Sequence, residues 1–387
     1  MNIVVAMDSF KGSLTTFEAG TAVKAGIKKV LKDANVIVVP VADGGEGTVS
    51  TIVKAAKGKF VKTYATNPIG DKIVCRYGIL PKTKTAVIEM AAAAGITLID
   101  ESQKNPLITT TFGVGEIIKD AIERGCRKFI IGVGGGATND GAIGMLQALG
   151  FKFLNKNGED VPFGAGGLDQ IYEIQTDSCV KELKDCEFVI ACDVQNPLLG
   201  KNGCSEVYGP QKGATPEMIK QMENGLKNYA KLTKKVIKNA DENYPGSGAM
   251  GGAGFACMAY LNATLKPGIE IVIDEIGLEN IIENADLVIT GEGRLDAQTL
   301  MGKAPVGIAK LAKKHNKQVF AFAGLVEQNE KNFKEKGIDE VFSISKLNNL
   351  TKNMISKKEA AKNLQKTVEQ VFGLIKMNKK EGNIWKK

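Results

Sequence analysis

The sequence predicts an α/β protein: a Rossmann-like parallel-sheet domain, discontinuous in sequence, with a second α/β domain inserted into it. Three observations carry this. The chain of 387 residues, 43% apolar and 24% charged, is long enough for two cores. At its start, apolar runs ending in polar, glycine-bearing loops alternate with helical periodicity, and the same texture returns after residue 284. Between these stretches the pattern differs, which places the domains at 1–59 with 285–387 and at 60–284.

Ile3 to Met7 reads as a buried parallel strand opening into DSFKGS. Thr15 and Glu18 have capping-box spacing, and Ala19, Ala22, Val23, Gly26, Ile27, Val30 and Leu31 recur along one helical face. Val36 to Val41 is the next strand; it ends in ADGGEG, before a helical face at Val49, Ile52, Val53 and Ala56. Parallel strands joined by right-handed crossovers align their C-terminal ends, so DSFKGS and ADGGEG are expected to share one edge.

From residue 60, FVKTYATNPIGDKIVCRYGIL and TAVIEM read as shorter strands joined by Asn-Pro and Gly-Asp turns, more antiparallel than crossed over. A helix at Val114 to Ile122, strand Phe129 to Val133, a helix around Ile143 to Leu149 and strand Phe188 to Cys192 follow. Thr215-Pro216 starts a long helix whose face is Ile219, Met222, Leu226, Tyr229, Thr233 and Val236. Later, Leu287 to Thr290 ends in GEGRLD, a helix runs to about Lys314, and Val319 to Ala323 ends in GLVEQNE.

Composition narrows the function. No apolar run approaches the ~18 residues of a membrane span, and MNIVVAMDSFKG lacks the form of a secretory leader, so a cytoplasmic protein is expected. The seven cysteines never form CxxC and read as buried thiols. The net charge of +8 is concentrated from residue 305 onward, where 18 Lys face 8 Asp plus Glu. Without arginines or interleaved aromatics, that surplus reads as solvated helix faces and a frayed end (Lys376, Lys379, Lys380, Lys386, Lys387) rather than a nucleic-acid surface. His315 is the single histidine and reads as a surface residue with no orienting acid nearby, so acid, base and metal work falls to Asp, Glu and Lys.

Five glycine-rich loops follow strands or open helices: DSFKGS, ADGGEG, GVGGGATNDG, GSGAMGGAG and TGEGRLD. Glycine lets main-chain amides approach an anion, and a helix N-terminus adds positive potential, so phosphate is the natural guest. Asp8, Asp43, Glu46, Asp140, Asp193, Glu292 and Asp296 lie at or just past strand ends, with Lys11 and Arg294 among them. Acids beside fixed cations and glycine amides suit phosphoryl transfer with magnesium. No Walker A loop is present, since Ala297 and Ala304 break the pattern around Gly302-Lys303. Gly132, Gly134 and Ala137 satisfy a loose GxGxxA, which keeps an NAD-dependent oxidoreductase with Glu159 or Asp160 on the ribose as an alternative, alongside a non-catalytic phosphometabolite sensor.

At these residues the chain resembles the bacterial glycerate kinases that have two α/β domains and no P-loop. The resemblance is carried by MDSFKGSLT (7–15), VADGGEGT (41–48), NPLITTTFGVGE (105–116), GVGGGATNDGA (132–142), CDVQNPLLG (192–200), YGPQKGAT (208–215), GAMGGAGFACMAYLNATLKPG (248–268) and ITGEGRLDAQTLMGKAPVGIAK (289–310). Gly136 and Ala142 stand where the family often has Ser and Gly, and Met301 where a polar residue is common. The resemblance implies ATP-dependent phosphorylation of D-glycerate with Mg2+, in an active-site cleft between the inserted domain and the parallel-sheet domain. A cytoplasmic monomer or homodimer with no nucleic-acid or membrane partner is expected.

On that footing Lys11 is catalytic, binding either the glycerate carboxylate or the transferred phosphate, with a solvent-exposed helix-start lysine as its other reading; Asp193, after the strand FVIAC, is the general base or a magnesium ligand, and its other reading is an Asx-turn carboxylate. Asp8, Asp43, Glu46, Ser247, Arg294 and Asp296 are assigned to substrate, with Asp296 also a magnesium ligand or, alternatively, a helix-start acid. Gly134, Gly135 and Gly136 form a cofactor cradle with Thr138, Asn139 and Asp140, which open the following helix; Thr138, Asn139 and Ser247 have capping as their structural alternative.

Overall fold

The computed structural model describes residues 1–10, 12–42, 47–327, 330–344 and 356–380. It forms two compact units, Met1–Asp43 with Ile269–Lys387, and Gly44–Gly268. The first unit opens with strand β1 (Asn2–Met7), a helix at Thr16–Val30 and β2 (Asn35–Val38). The inserted unit adds β3 (Lys59–Thr66), β4 (Lys72–Leu80), β5 (Thr85–Glu89), β6 (Lys128–Gly132), β7 (Lys152–Leu154), β8 (Glu173–Gln175), β9 (Glu187–Ala191) and β10 (Thr264–Lys266). The chain then returns with β11 (Leu287–Leu295), β12 (Gln318–Val326) and β13 (Glu340–Ser343).

The first sheet has the order β13-β12-β11-β1-β2, parallel throughout. The direction in which strands are added reverses between β1 and β11, and open sheets bind ligands at the carboxyl ends flanking such a reversal. Its core includes Ile3, Val5, Val23, Ile27, Ile289 and Phe322, together with Leu364, Val368 and Phe372 from the helix Lys357–Lys380. That last helix lies along Thr16–Val30, with Lys29 paired to Glu369 at 3.0 Å and the Lys376 ammonium donating to the Val30 carbonyl at 3.0 Å. The expected frayed end is therefore helical through Lys380, because an apolar stripe there completes the core. Lys386 and Lys387 lie outside the described residues.

The inserted unit's main sheet runs β10-β9-β6-β5-β4-β3. β3, β4 and β5 pair antiparallel, as their turn signals predict, while β5, β6, β9 and β10 are parallel and end on one edge. Helix Phe112–Glu123 and helix Pro216–Val236 supply core residues including Val114, Ile117, Leu226 and Tyr229. The capping boxes Thr15–Glu18 and Thr215–Met218 are both formed, the first by the expected carboxylate.

Both unit boundaries fall elsewhere than periodicity suggests. Residues 44–59 belong with the inserted unit: a Cβ at Gly78 of β4 would lie 2.0 Å from Val53 of the helix Thr48–Ala55, so that helix is packed tight on β4. Residues 269–284 belong with the first unit, where Ile269 fits against Gly307 in the helix Ala304–Lys314. Two further expectations are corrected. β11 does not stop at Thr290; Glu292, Arg294 and Leu295 continue the ladder opposite Ala323, Leu325 and Val326. His315 is not a lone surface residue, because Glu279 Oε1 lies 3.0 Å from its Nε2. No helix among the described residues is long and apolar enough to cross a membrane.

Candidate active site

In the first unit, Asp8, Glu292, Arg294 and Asp296 lie on or just past β1 and β11, the strands that flank the reversal. Asp8 follows β1 directly; its N–H donates to the Gly291 carbonyl at 2.9 Å, and its buried carboxylate accepts the Ser9 N–H at 2.5 Å. Thr16 ties this edge together, its hydroxyl donating to the carbonyls of Met7 and Val41, so the chain segments leading to DSFKGS and ADGGEG do approach each other. Lys11, Asp43 and Glu46 themselves lie outside the described residues.

TGEGRLD is strand rather than phosphate loop. Arg294 is exposed on the extended end of β11 and pairs with Glu327 at 3.3 Å. Glu292 is buried and accepts the Thr299 hydroxyl at 2.5 Å. Asp296 caps the short helix Ala297–Leu300, with Oδ1 accepting the N–H groups of Gln298 and Thr299 at 2.8 and 3.1 Å. The helix-start alternative for Asp296 is thus what the geometry displays.

In the inserted unit, Gly134–Gly136 and Asp193 follow adjacent parallel strands, β6 and β9, on the same edge. Asp193 is exposed, and its Oδ1 accepts the Gly268 N–H at 3.0 Å from the end of β10. Gly135 has φ +66°, and the N–H groups of Gly134, Gly135 and Gly136 take part in no hydrogen bond among the described residues. The loop is nonetheless fixed, since Gly135 O accepts the Ile96 N–H at 2.8 Å and the Ala137 N–H donates to Ala94 O at 2.9 Å. Gly135 is exposed, Gly134 half-buried and Gly136 buried, and unpaired amides on a rigid frame are suited to an anion.

Thr138, Asn139 and Asp140 do not open a helix. The helix begins at Ile143, after Ala142 in the left-handed region (φ 56°), and the three residues are wholly buried beneath the glycines. Asp140 Oδ2 accepts the Thr111 N–H and hydroxyl, and its Oδ1 accepts the Ala142 N–H at 3.1 Å. Burial pushes this carboxyl above the usual carboxylate range, against the pull of those bonds. The Asn139 amide donates to Ser205 Oγ at 2.9 Å, while Asn139 Oδ1 and Thr138 Oγ1 have no partner among the described residues.

The missing helix also removes the dinucleotide reading, which needs a glycine loop running straight into a helix N-terminus. Its ribose candidates are occupied in a local turn: Asp160 pairs with Lys152 at 3.0 Å and Glu159 accepts from Asn155. Ser247 is buried, and its hydroxyl donates to the Glu242 carbonyl at 2.7 Å, so it holds its own loop rather than capping a helix. GSGAMGGAG leads into the helix Ala249–Leu261, which is interrupted where Met250, Gly251 and Gly252 all take positive φ. Gly251 is required there, because a Cβ would sit 2.3 Å from the Thr138 carbonyl.

Sequence reasoning missed two residues of this edge. Glu89, at the end of β5, accepts the N–H groups of Gly47 and Val49 at 3.1 and 3.2 Å and so anchors the far side of ADGGEG. Lys212, in YGPQKGAT, is only 3% exposed, and its ammonium donates to the Thr138 carbonyl at 2.6 Å. A lysine between turn residues gives no local sign of burial. Among the described residues no three His, Cys, Asp or Glu side chains assemble into a metal cluster. Magnesium needs no such cluster, since it keeps waters and takes one or two protein carboxylates with substrate phosphates.

Comparison with known proteins identifies the relatives of this chain. Residues 3–376 match the model of the glycerate kinase family. The chain is 46% identical over 344 residues to the glycerate 2-kinase of Escherichia coli (strain K12), covering 89% of this chain and 90% of that protein. It is 43% identical over 344 residues to the glycerate kinase of Bacillus subtilis (strain 168), again covering 89% and 90%. A crystal structure described as that of a putative glycerate kinase 2 from Salmonella typhimurium LT2 superposes with a TM-score of 0.89 at 42% identity, covering 98% of this chain and 99% of that one.

Proposed function

The chain belongs to the glycerate kinase family and is a phosphotransferase, and on that premise we propose that it moves the γ-phosphoryl group of ATP to a hydroxyl of D-glycerate, releasing ADP. The observation that carries the phosphate-binding part is the Gly134–Gly136 run, whose uncommitted amides cap the end of a parallel strand above a buried polar frame. The 2-hydroxyl is the acceptor in this proposal, in keeping with the name of the Escherichia coli relative.

Phosphoryl transfer asks for positioning and charge stabilisation more than for covalent chemistry. The loop amides bind the phosphates of ATP through Gly134–Gly136. Asp193 takes the proton of the attacking hydroxyl, its carboxylate oriented by the Gly268 N–H. Lys11, Asp8, Asp43, Glu46 and Arg294 bind and orient glycerate, the cations meeting its carboxylate. Asp296, or Asp193 in the alternative to its base role, would hold Mg2+, which would supply neutralisation of phosphate charge. The working location is the cytoplasm, as a monomer or homodimer.

A coupled assay for ADP release tests the whole scheme. Glycerate-dependent ADP formation is expected, with phosphorus NMR of the product showing 2-phosphoglycerate. No turnover with glycerate and ATP would reject the activity, and 3-phosphoglycerate would reject the regiochemistry alone.

A further inference from the structure

Lys212 lies beneath the glycine loop, at the end of the turn Pro210–Lys212, and its burial needs a reason. An ammonium taken out of water loses strong hydration, and one carbonyl bond does not replace it. A neutral side chain of similar length would fill the space at lower cost. What the charge adds is a grip on one atom. The Thr138 carbonyl is held by Lys212 Nζ on one side, and on the other Gly251 approaches so closely that a Cβ would lie 2.3 Å away. Two residues on, Asp140 fixes the chain to Thr111, and the Gly141 N–H donates to the Gly251 carbonyl at 2.9 Å.

We propose that Lys212 is a positioning residue for phosphoryl transfer: its charge holds the Thr138 carbonyl and so sets the Gly134–Gly136 amides for ATP. The inference rests on the reading of Gly134–Gly136 as the phosphate cradle. Lys212 touches neither substrate nor reacting atoms; it acts through the short stretch of backbone that joins Thr138 to those glycines.

The charge it depends on is titratable. Burial pulls the Lys212 ammonium down to about 8, opposed by Cys204 and Asp140. The groups facing this pocket are Asp140 of the loop, Cys204 of the helix Cys204–Tyr208, and, from Pro216–Val236, Glu223 beside Cys204 and Tyr229 beside Asp140. Burial pushes Cys204 up to about 11, Tyr229 well above its ordinary range, and the carboxyls of Asp140 and Glu223 upward, so among the amine, the thiol and the phenol Lys212 is the one that changes charge first above neutrality. A neutral amine still donates a hydrogen bond, but a weaker one.

Steady-state kinetics on the full chain test this with wild type, Lys212→Met, Lys212→Arg and Gly135→Ala. Lys212→Met is expected to raise KM for ATP about 10- to 100-fold while KM for glycerate moves less than about threefold. In wild type, kcat/KM for ATP is expected to fall as pH rises through about 8. Lys212→Arg is expected to keep its ATP affinity at high pH, since arginine stays charged. A wild-type profile flat from about pH 7 to 9.5 would overturn the proposal even if neither variant folds. So would a folded Lys212→Met with unchanged KM for ATP. Gly135→Ala separates the two levels: an unchanged KM for ATP there rejects the cradle itself, whereas a raised KM there with no effect of Lys212→Met rejects Lys212 alone.

Discussion

One oxygen of Asp140, Oδ2, accepts both the N–H of Thr111 at 2.9 Å and its hydroxyl at 2.8 Å, with all three groups wholly buried. The Thr111 hydroxyl in turn accepts the Met145 N–H at 2.9 Å. A single carboxylate thereby joins the loop after β6 to the starts of two helices. Asp140→Asn keeps the shape but turns one acceptor oxygen into an amide donor, so the Thr111 N–H or the Ala142 N–H loses its partner. The variant should lose about 1–3 kcal/mol, the scale for a buried donor left unsatisfied, read as a lower urea midpoint at unchanged m-value.

Lys212 makes stability depend on pH in the direction opposite to ATP binding. Below about pH 8 the folded and unfolded chains both hold its proton, and the full burial cost is present. Between there and its ordinary value of 10.5, the unfolded chain binds a proton that the folded chain has released, so stability rises with pH. At about 1.4 kcal/mol per pH unit the gain is on the order of 3 kcal/mol. Denaturant titrations of wild type and Lys212→Met across pH 7 to 10.5 should differ by this slope, and parallel curves would refute it.

Gly144 reports on the same junction through packing. A Cβ there would lie 2.2 Å from Thr110 Oγ1 and 2.8 Å from the Phe112 nitrogen. Gly144→Ala should cost about 1–3 kcal/mol through overpacking, despite alanine's better helix propensity. Thermal unfolding gives the sign directly; a stabilised variant would show that the helix start can shift.

Asp193→Asn should leave the fold intact, because the side chain is exposed and asparagine can still accept the Gly268 N–H. Loss of its basicity should lower kcat roughly 100- to 10,000-fold with little change in either KM. Wild-type kcat in this variant would remove Asp193 from proton transfer.

Local signals proved readable where their partners were near in sequence. Thr15 and Glu18 announce a helix start, Thr215-Pro216 another, and Asn-Pro with Gly-Asp turns mark β3 to β5 as antiparallel. Glycine misled where it served close packing rather than a turn. Gly291 sits mid-strand because a Cβ would come within 1.8 Å of the Phe322 carbonyl, so GEGRL extends β11 instead of ending it. Lys212 and Thr138 are 74 residues apart and His315 and Glu279 are 36 apart, and no periodicity links such pairs. The predicted residues at strand ends follow from fold class, while Lys212 and Glu89 emerge only from the folded chain.

The pairing of β1 with β11 joins Ile3 to Leu287 and Val5 to Ile289, and the final helix then lies against the first. A ribosome making ~5–20 residues per second exposes β1 tens of seconds before its neighbour exists. Residues 44–268 are contiguous and can settle while the opening strand waits with an unpaired, apolar edge. Holding that nascent edge apart from other chains is thus a demand the topology places on the cell, and premature release of truncated chains ending before residue 287 should yield aggregates.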